Sequence, residues 1–271
     1  MNENIIEIKN VTIDYKLKKY DIRAVSNCSF NIKRGFITAI VGESGSGKTT
    51  LASSIIDCIS SPGVLAEGSI KFDDGQDCFQ VEQLTELEKE KMRWSKISMV
   101  FQAAQSAMNP VMTVWDHFWE TYYFHDKKAK KEEVLLKSKK LLEYVKLDVN
   151  RVLSSYPHEL SGGMKQRVMI AFALLLNPSM MILDEPTTAL DVITQNYIFE
   201  ILKDINRNMN ITMLLMTHDI NVVSRFSDYV TVMYAGRIVE YGPTKEVFSN
   251  PKHPYTKGLL DATPSLSNTT K

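Results

Sequence analysis

The residues best suited to chemistry are a glycine-rich stretch, Gly42-Glu43-Ser44-Gly45-Ser46-Gly47-Lys48-Thr49. Its spacing, GxxxxGK followed by Thr, lets the backbone curl so that successive N–H groups and a helix N-terminus face a phosphate group. Lys48 would reach the β- and γ-phosphates, and the Thr49 hydroxyl would ligate Mg²⁺. The stretch therefore predicts a phosphate-binding loop (P-loop), with nucleotide contacts expected from Gly42, Glu43, Ser44, Gly45, Ser46, Gly47, Lys48, Thr49 and Thr50.

Two carboxylates follow a second apolar segment. Met180-Met181-Ile182-Leu183 is typical of a buried strand, and Asp184 and Glu185 come directly after it. The carboxyl ends of strands are where α/β sheets bind their ligands. Beside a P-loop, Asp184 is expected to supply the magnesium carboxylate and Glu185 to act as general base on an attacking water. The alternative is that the two acids only cap the next helix.

A second anion-binding pattern lies at Leu160-Ser161-Gly162-Gly163-Met164-Lys165-Gln166-Arg167, just before an apolar helical segment. Ser161 and the glycine amides would form another helix N-terminal anion site. One nucleotide does not need two such sites in the same subunit. The simpler interpretation is an ordinary helix cap, because Ser before Gly-Gly is common in loops.

Hydrophobic periodicity predicts the strands and helices that position these residues. Alternating apolar residues predict N-terminal strands around Ile6–Tyr15 and Cys28–Ile32, a turn at Arg34-Gly35 and a strand over Phe36–Val41. From Leu160 onward, helical segments alternate with uninterrupted apolar strands, which predicts a parallel sheet covered on both faces. The other predicted elements are helices at Thr49–Ile59, Leu84–Trp94, about Lys127–Val145, Met164–Leu176 and Val192–Asn206, and strands at Ile97–Phe101 and Ile211–Met216.

Composition excludes several classes of function. Thirty-two Lys and Arg balance thirty-two Asp and Glu, so nothing draws the 271-residue chain to nucleic acid, and no nucleic-acid partner is expected. A basic run at Lys127–Lys131 is followed at once by Glu132 and Glu133, which favours a solvated helix face. The longest apolar run, Val168–Leu176, is far shorter than the ~20 residues that span a bilayer.

The cysteines and the N-terminal residues give two further expectations. Cys28, Cys58 and Cys78 are odd in number and lack a CxxC spacing, which argues against disulfides and a metal cluster. We expect them to be free thiols, buried or on the surface. The first residues lack the basic flank and apolar stretch of a secretory signal, so a cytoplasmic location is expected.

Leu-Ser-Gly-Gly-Met-Lys-Gln-Arg closely resembles the signature motif of ABC-transporter ATPases. In that family the signature of one subunit closes over the ATP held by the P-loop of its partner. The resemblance implies that Ser161, Gly162, Gly163 and Gln166 contact a partner's ATP. It also implies an α/β fold: a P-loop NTPase with a RecA-like core, an N-terminal antiparallel β subdomain and an α-helical subdomain inserted at about 103–157, all within one nucleotide-binding domain over 1–271.

The other family motifs follow in the right order. Tyr15 resembles the aromatic residue that stacks on adenine, and Tyr20 is a weaker candidate. Gln102 is similar to the glutamine that contacts Mg²⁺ or water and senses the membrane subunits. Pro186–Asp191 resembles the loop that crosses the dimer interface, which implies that Asp191 contacts nucleotide. His218 resembles the histidine that contacts the γ-phosphate.

The C-terminal segments Met233–Pro243 and Asn250–Leu260 look like the oligopeptide/dipeptide/nickel importer branch, as do Asn109-Pro110 and Tyr156–Leu160. A C-terminal extension specific to this branch is expected at about 243–271. The resemblance implies an ATPase subunit on the inner face of the membrane. Its expected partners are a second ATPase subunit in a head-to-tail ATP-sandwich dimer, which is either a copy of itself or a paralogue, two permease subunits and, indirectly, an extracytoplasmic binding protein.

Two departures from the branch bear on cofactors and cargo. No cysteine follows Cys78, so the iron–sulfur cluster that many peptide-importer ATPases carry in a C-terminal tail is not expected. Ala103-Ala104-Gln105-Ser106 stands where the branch usually has an acidic residue and proline, near the expected permease contact. Peptide cargo is favoured, with nickel or metallophore uptake as the alternative. A soluble ABC ATPase and a non-catalytic module of the same fold are the remaining rivals.

Overall fold

The computed structural model describes residues 3–101, 108–188 and 190–263. Gln102 and the departure at 103–106 lie outside these residues. The strands are β1 Asn4–Lys16, β2 Asp21–Lys33, β3 Ile37–Val41, β4 Gly63–Asp73, β5 Cys78–Gln80, β6 Ile97–Val100, β7 Met180–Asp184, β8 Thr212–Met216, β9 Tyr229–Tyr234 and β10 Arg237–Pro243. The helices are α1 Lys48–Ile55, α2 Glu86–Ser95, α3 Val114–His125, α4 Lys131–Tyr144, α5 Val149–Ser154, α6 Gly162–Ala173, α7 Val192–Met209, α8 Ile220–Phe226, α9 Thr244–Ser249 and α10 Pro254–Asp261.

The described residues fall into two compact units. The first comprises the chain up to Glu90 together with the residues from Asn210 onward, and the second is Lys91–Met209. Within the first unit, β1 pairs with β2 and with β4, both antiparallel, in the order β2-β1-β4-β5. Ile6 and Ile8 on β1 are fully buried, because alternation along the strand turns these two residues to the same face. The predicted N-terminal antiparallel layer is confirmed.

A second group of strands in the first unit carries the P-loop. β3 lies between β8 and β9 and is parallel to both, and β10 continues antiparallel from β9. All residues of β3 and β8 are buried, which accounts for their uninterrupted apolar sequences. Ile40 pairs with Met216, so the two strands end at the same edge. That edge delivers Gly42 from β3 and His218 from β8.

The second unit pairs β6 with β7 in parallel, from Ile97 with Met180 to Val100 with Leu183. Both strands are buried throughout. The Phe172 ring of α6 packs against Trp94 at 4.7 Å and against Phe118 of α3 at 5.3 Å between ring centroids. This aromatic contact joins three elements of the unit, and β7 delivers Asp184 at its carboxyl end.

Several predicted helix ends are wrong. The helix predicted to reach Ile59 ends at Ile55, because Asp57 adopts a left-handed backbone with φ of 50° and closes a turn. The helix predicted from Lys127 begins at Lys131, because the Asp126 carboxylate accepts the Lys128 N–H at 2.9 Å and holds a turn there. Lys127 and Lys128 therefore precede the helix, and the Lys127 ammonium lies 4.5 Å from the centroid of the Tyr123 ring.

Two further expectations can be compared with the described residues. Cys28 is buried, Cys58 is partly buried and Cys78 is exposed, and all three are free thiols, as expected. None of the described helices has the length and apolar character needed to cross a bilayer.

Candidate nucleotide site

The P-loop runs from the end of β3 into α1. At two of its positions only glycine fits, because the backbone of another segment lies close by. A Cβ on Gly42 would collide with the carbonyl oxygen of Met233. Gly47 caps α1 with a left-handed φ of 97°, and a Cβ there would lie 2.6 Å from the Ala24 carbonyl oxygen. Only glycine satisfies both the positive φ and the contact. The predicted strand, glycine loop and helix are confirmed in order.

Lys48 lies inside this loop and is only 8% exposed. Its Nζ donates to the carbonyl oxygens of Gly42 and Glu43, at 2.8 Å each. The Ser46 hydroxyl is buried, and the described residues offer it no hydrogen-bond partner. A buried hydroxyl that lacks a partner, beside a buried ammonium, fits a site for an anionic group that supplies acceptors. The residues of the loop therefore fit the phosphates of a nucleotide.

Two further predicted residues belong to the same unit. The Tyr15 hydroxyl lies 3.4 Å from Thr50 Oγ1, so this aromatic side chain is tied to the start of α1. Tyr20 lies in the β1–β2 connection and is 62% exposed. The stacking of either tyrosine on adenine stays a prediction.

His218 is an exposed residue between β8 and α8. The backbone on its C-terminal side is fixed, because the Asp219 carboxylate accepts the N–H of Asn221 at 2.9 Å and caps α8, while Asp219 N–H donates to the Thr217 hydroxyl at 3.1 Å. A side chain presented on a fixed backbone at the end of a buried strand is suited to contacting a ligand with little loss of conformational entropy.

The two carboxylates lie at the end of β7 in the second unit. Asp184 is the buried last residue of the strand. Glu185 adopts a left-handed backbone with φ of 46°, which costs about 1–3 kcal/mol for a residue with a side chain. Its Oε2 accepts the Thr188 hydroxyl at 2.9 Å, and its carbonyl oxygen accepts the Thr188 N–H at 3.2 Å. Strain of this kind is concentrated at functional sites, and the bond from the Thr188 hydroxyl holds the Glu185 carboxylate in one orientation.

The signature residues open α6. The Ser161 hydroxyl accepts the Met164 N–H at 3.3 Å as the helix N-cap, and Ser161 itself is exposed. The helix-cap interpretation is therefore correct for its side chain. Gly163 is packed closely against α7, because a Cβ there would lie 2.7 Å from the Thr194 methyl group.

Thr194 links the signature to Asp191. Its hydroxyl donates to Asp191 Oδ2 at 2.6 Å, and its N–H donates to Oδ1 at 3.0 Å. The hydroxyl and then the N–H hold the pKa of Asp191 below its usual value, so the carboxylate is ionised at neutral pH. Gly163 and Asp191, predicted separately, are therefore joined through Thr194, a residue that the sequence analysis missed.

Gly163→Ala tests this packing. We expect the substitution to lower the free energy of unfolding by about 1–2 kcal/mol, because the Thr194 methyl cannot turn away without breaking the hydrogen bond from the Thr194 hydroxyl to Asp191. Adding Thr194→Ser, which removes the methyl and keeps the hydroxyl, should recover most of the loss in urea unfolding. Gly258→Ala is the control, since a Cβ on that helical glycine meets nothing within 4 Å. Equal stability of the Gly163→Ala chain with and without Thr194→Ser would contradict the contact.

Arg167, the last residue of the signature stretch, makes contacts that the sequence analysis did not predict. Its guanidinium donates to the carbonyl oxygen of Lys146 at 2.7 Å, and Nε donates to that of Gly163 at 3.3 Å. It also lies over the Tyr197 ring at 5.5 Å. Arg167 thus ties the signature turn to the end of α4 and to α7. No local sequence pattern could reveal a bond to the Lys146 carbonyl group, 21 residues away, because it depends on the tertiary fold.

The predicted residues therefore divide between the two units. Gly42 to Thr50, Tyr15 and His218 belong to the first unit, and Asp184, Glu185, Ser161, Gly162, Gly163, Gln166 and Asp191 belong to the second. Gln166 is buried within α6, and its amide nitrogen has no hydrogen-bond partner among the described residues. Its role toward nucleotide stays a prediction, as does that of Gln102, which lies outside the described residues.

Comparison with known proteins identifies the family to which this chain belongs. Residues 25–188 match the ABC transporter family, and residues 239–271 match the oligopeptide/dipeptide transporter C-terminal region. The chain belongs to the ABC transporter family, as an ATP-binding subunit of its oligopeptide/dipeptide branch. The predicted family and fold class are confirmed, and the domain is that of an ABC ATPase.

Two curated relatives cover nearly the whole chain. The dipeptide transport ATP-binding protein DppD of Caldanaerobacter subterraneus is 42% identical over 95% of this chain and 78% of that protein. The oligopeptide transport ATP-binding protein AppD of Bacillus subtilis is 42% identical over 97% of this chain and 79% of that protein. Among solved structures, the dimeric cassette MJ0796 bound to ADP and Pi has a TM-score of 0.76 at 34% identity, covering 88% of this chain and 98% of that one.

Proposed function

We propose that this chain binds and hydrolyses ATP to power the uptake of peptides through separate permease subunits. The observation that carries the proposal is the combination in one chain of an ABC ATPase region with the oligopeptide/dipeptide C-terminal region. The names of its relatives, which transport dipeptides and oligopeptides, favour peptide cargo over nickel chelates.

In the proposed reaction the P-loop amides and the Lys48 ammonium hold the phosphates, and Tyr15 stacks on the adenine. Glu185 takes a proton from the attacking water as general base, and its carboxylate is oriented for this by Thr188. His218 contacts the γ-phosphate, and Gln102 helps to hold the attacking water. A preorganised base and donors lower the barrier mainly by positioning and by stabilising developing charge.

Mg²⁺ is the expected metal, because oxygen ligands and a triphosphate are its usual partners. The Thr49 hydroxyl, the Asp184 carboxylate and the Gln102 side chain are the proposed protein ligands. The exposed position of Thr49 in the first turn of α1 supports its part in this set. When bound, the metal would neutralise negative charge on the phosphates.

The proposed assembly is a head-to-tail dimer in which Ser161, Gly162, Gly163, Gln166 and Asp191 of one ATPase subunit face the ATP bound by the other. The exposed position of Ser161 at the N-terminus of α6 supports this arrangement, because a helix N-terminus open to solvent can receive an anionic group from another subunit. The dimer would lie against two permease subunits at the inner face of the membrane, with an extracytoplasmic binding protein on the other side.

The cargo is tested on the assembled transporter. The tagged chain is used to isolate the membrane complex, and the binding protein that belongs to it is titrated with dipeptides, longer peptides and nickel chelates by calorimetry. We expect saturable binding of peptides. Binding of nickel chelates alone would overturn the peptide proposal and favour the metallophore alternative, while leaving the ATPase function in place.

A further inference from the structure

The C-terminal segment reaches the P-loop through one side chain. The Tyr255 hydroxyl, in the first turn of α10, accepts the backbone N–H of Glu43 at 3.1 Å, across 212 residues of sequence. Glu43 is the second residue of the P-loop, and it follows Gly42, the first residue after β3. The Glu43 N–H is therefore donated to a tyrosine of the branch-specific region and is not among the amides that face phosphate in this structure, contrary to the sequence expectation for Glu43.

Tyr255 is itself firmly placed. Its ring packs against that of Tyr234 on β9, with 4.4 Å between centroids. It also packs on an apolar cluster that includes Val41 of β3 and Ile220 of α8, the elements that carry the P-loop and follow His218. Burial raises the pKa of the Tyr255 hydroxyl, against the lowering effect of the Glu43 N–H, so the group stays neutral at physiological pH.

The turn that leads into α10 is fixed from β10. The Glu240 carboxylate accepts the N–H groups of Lys252 at 2.8 Å and His253 at 3.1 Å. His253 Nδ1 in turn accepts the Tyr255 N–H at 3.1 Å and caps α10. The position of the Tyr255 hydroxyl is thus determined by the strand, the cap and the apolar cluster together.

A second contact holds the other half of the loop. The N–H of Gly236, in the β9–β10 turn, donates to the Ser46 carbonyl oxygen at 3.1 Å. Tyr234, which precedes this turn, is the residue that packs on Tyr255. The β9–β10 turn and α10 therefore each make one hydrogen bond to the P-loop backbone. The packing of Tyr234 on Tyr255 connects the turn to the helix.

We propose that Tyr255 is a positioning residue for ATP binding, which holds the P-loop in its phosphate-binding conformation from the C-terminal segment. The inference rests on the nucleotide-binding function of the loop and adds a role for the C-terminal region. A loop held in the competent conformation binds ligand more tightly, because less of the binding free energy is used to select that conformation. Tyr255 acts on affinity and not on the chemical step, since it is neither the base nor one of the metal ligands proposed above.

Tyr255→Phe tests the proposal, because it removes the hydroxyl and keeps the ring. Amide exchange at Glu43, measured by NMR without nucleotide, should become about five-fold faster. The dissociation constant for a fluorescent ATP analogue should rise roughly 2- to 10-fold, with kcat at saturating ATP unchanged. Tyr241→Phe is the matched control, because its hydroxyl donates to the Asn31 carbonyl oxygen, outside the loop.

The outcomes separate the positioning role from simple structural support. Faster Glu43 exchange and weaker nucleotide binding in Tyr255→Phe alone, at an unchanged melting temperature, support the proposal. Exchange and affinity equal to those of the native chain would overturn it, and so would a loss of affinity shared with Tyr241→Phe. The exchange measurement needs no nucleotide, so its result stands apart from any failure of the ATPase function itself.

Discussion

Replacing Glu185 by glutamine is expected to lower kcat for ATP hydrolysis by at least about 100-fold while ATP still binds. The substitution removes the charge that accepts a proton from water and changes little else. The side-chain oxygen of the introduced glutamine can still accept the Thr188 hydroxyl, so the bond that holds the native carboxylate is retained. Phosphate release and binding of a fluorescent ATP analogue measure the two effects separately.

Glu90→Gln is the matched control for this experiment, because it makes the same chemical change at an exposed position on α2. We expect native turnover in that variant. Hydrolysis at the native rate in Glu185→Gln would show that another group acts as base. A parallel loss of ATP binding would contradict the expectation that the glutamine keeps the strained turn at this position intact.

Replacing Ser161 by aspartate is expected to abolish ATP-dependent dimerisation while the monomer binds ATP as before. Aspartate is as good an N-cap as serine, so α6 keeps the bond to the Met164 N–H. Its negative charge would face the phosphates of the partner's ATP, and like charges brought together at an interface cost several kcal/mol, which we set at roughly 100-fold or more in affinity. Light scattering in the Glu185→Gln background, where ATP persists, reports the dimer.

Ser161→Asn separates charge from size in this test. Asparagine also caps helices well and is close to aspartate in volume, so it should retain most of the ATP-dependent dimer. The measurement is made on the chain alone and with the ATP-binding subunit that co-purifies with it, because the second subunit is either a copy or a paralogue. An ATP-dependent dimer in Ser161→Asp at native affinity would contradict the proposed contact of Ser161 with a partner's nucleotide.

The sequence alone predicted the positions where local pattern and chemistry coincide. The P-loop, with buried β3 before it and α1 after it, follows from apolar periodicity and from the GxxxxGK spacing followed by Thr. The buried strand that ends at Asp184 follows in the same way. These features are local, so a short window of sequence contains the information that determines them.

What the sequence could not predict depends on contacts between distant segments. The bond from Glu43 to Tyr255 and the contact of Gly163 with Thr194 join residues with no shared pattern. The positive φ of Glu185 arises in a turn whose sequence gives no glycine signal. The predicted helix ends were wrong for a related reason. Side-chain and turn hydrogen bonds, such as that of Asp126, determine where a helix begins.

The central claim is that this chain supplies ATP hydrolysis for peptide uptake. The most direct test is phosphate release by the isolated membrane complex in lipid nanodiscs, with its binding protein added empty or loaded with peptide. We expect peptide-loaded binding protein to stimulate hydrolysis and Glu185→Gln in this chain to remove the stimulation. Hydrolysis that does not respond to the peptide-loaded protein, or that persists unchanged in Glu185→Gln, would contradict the claim.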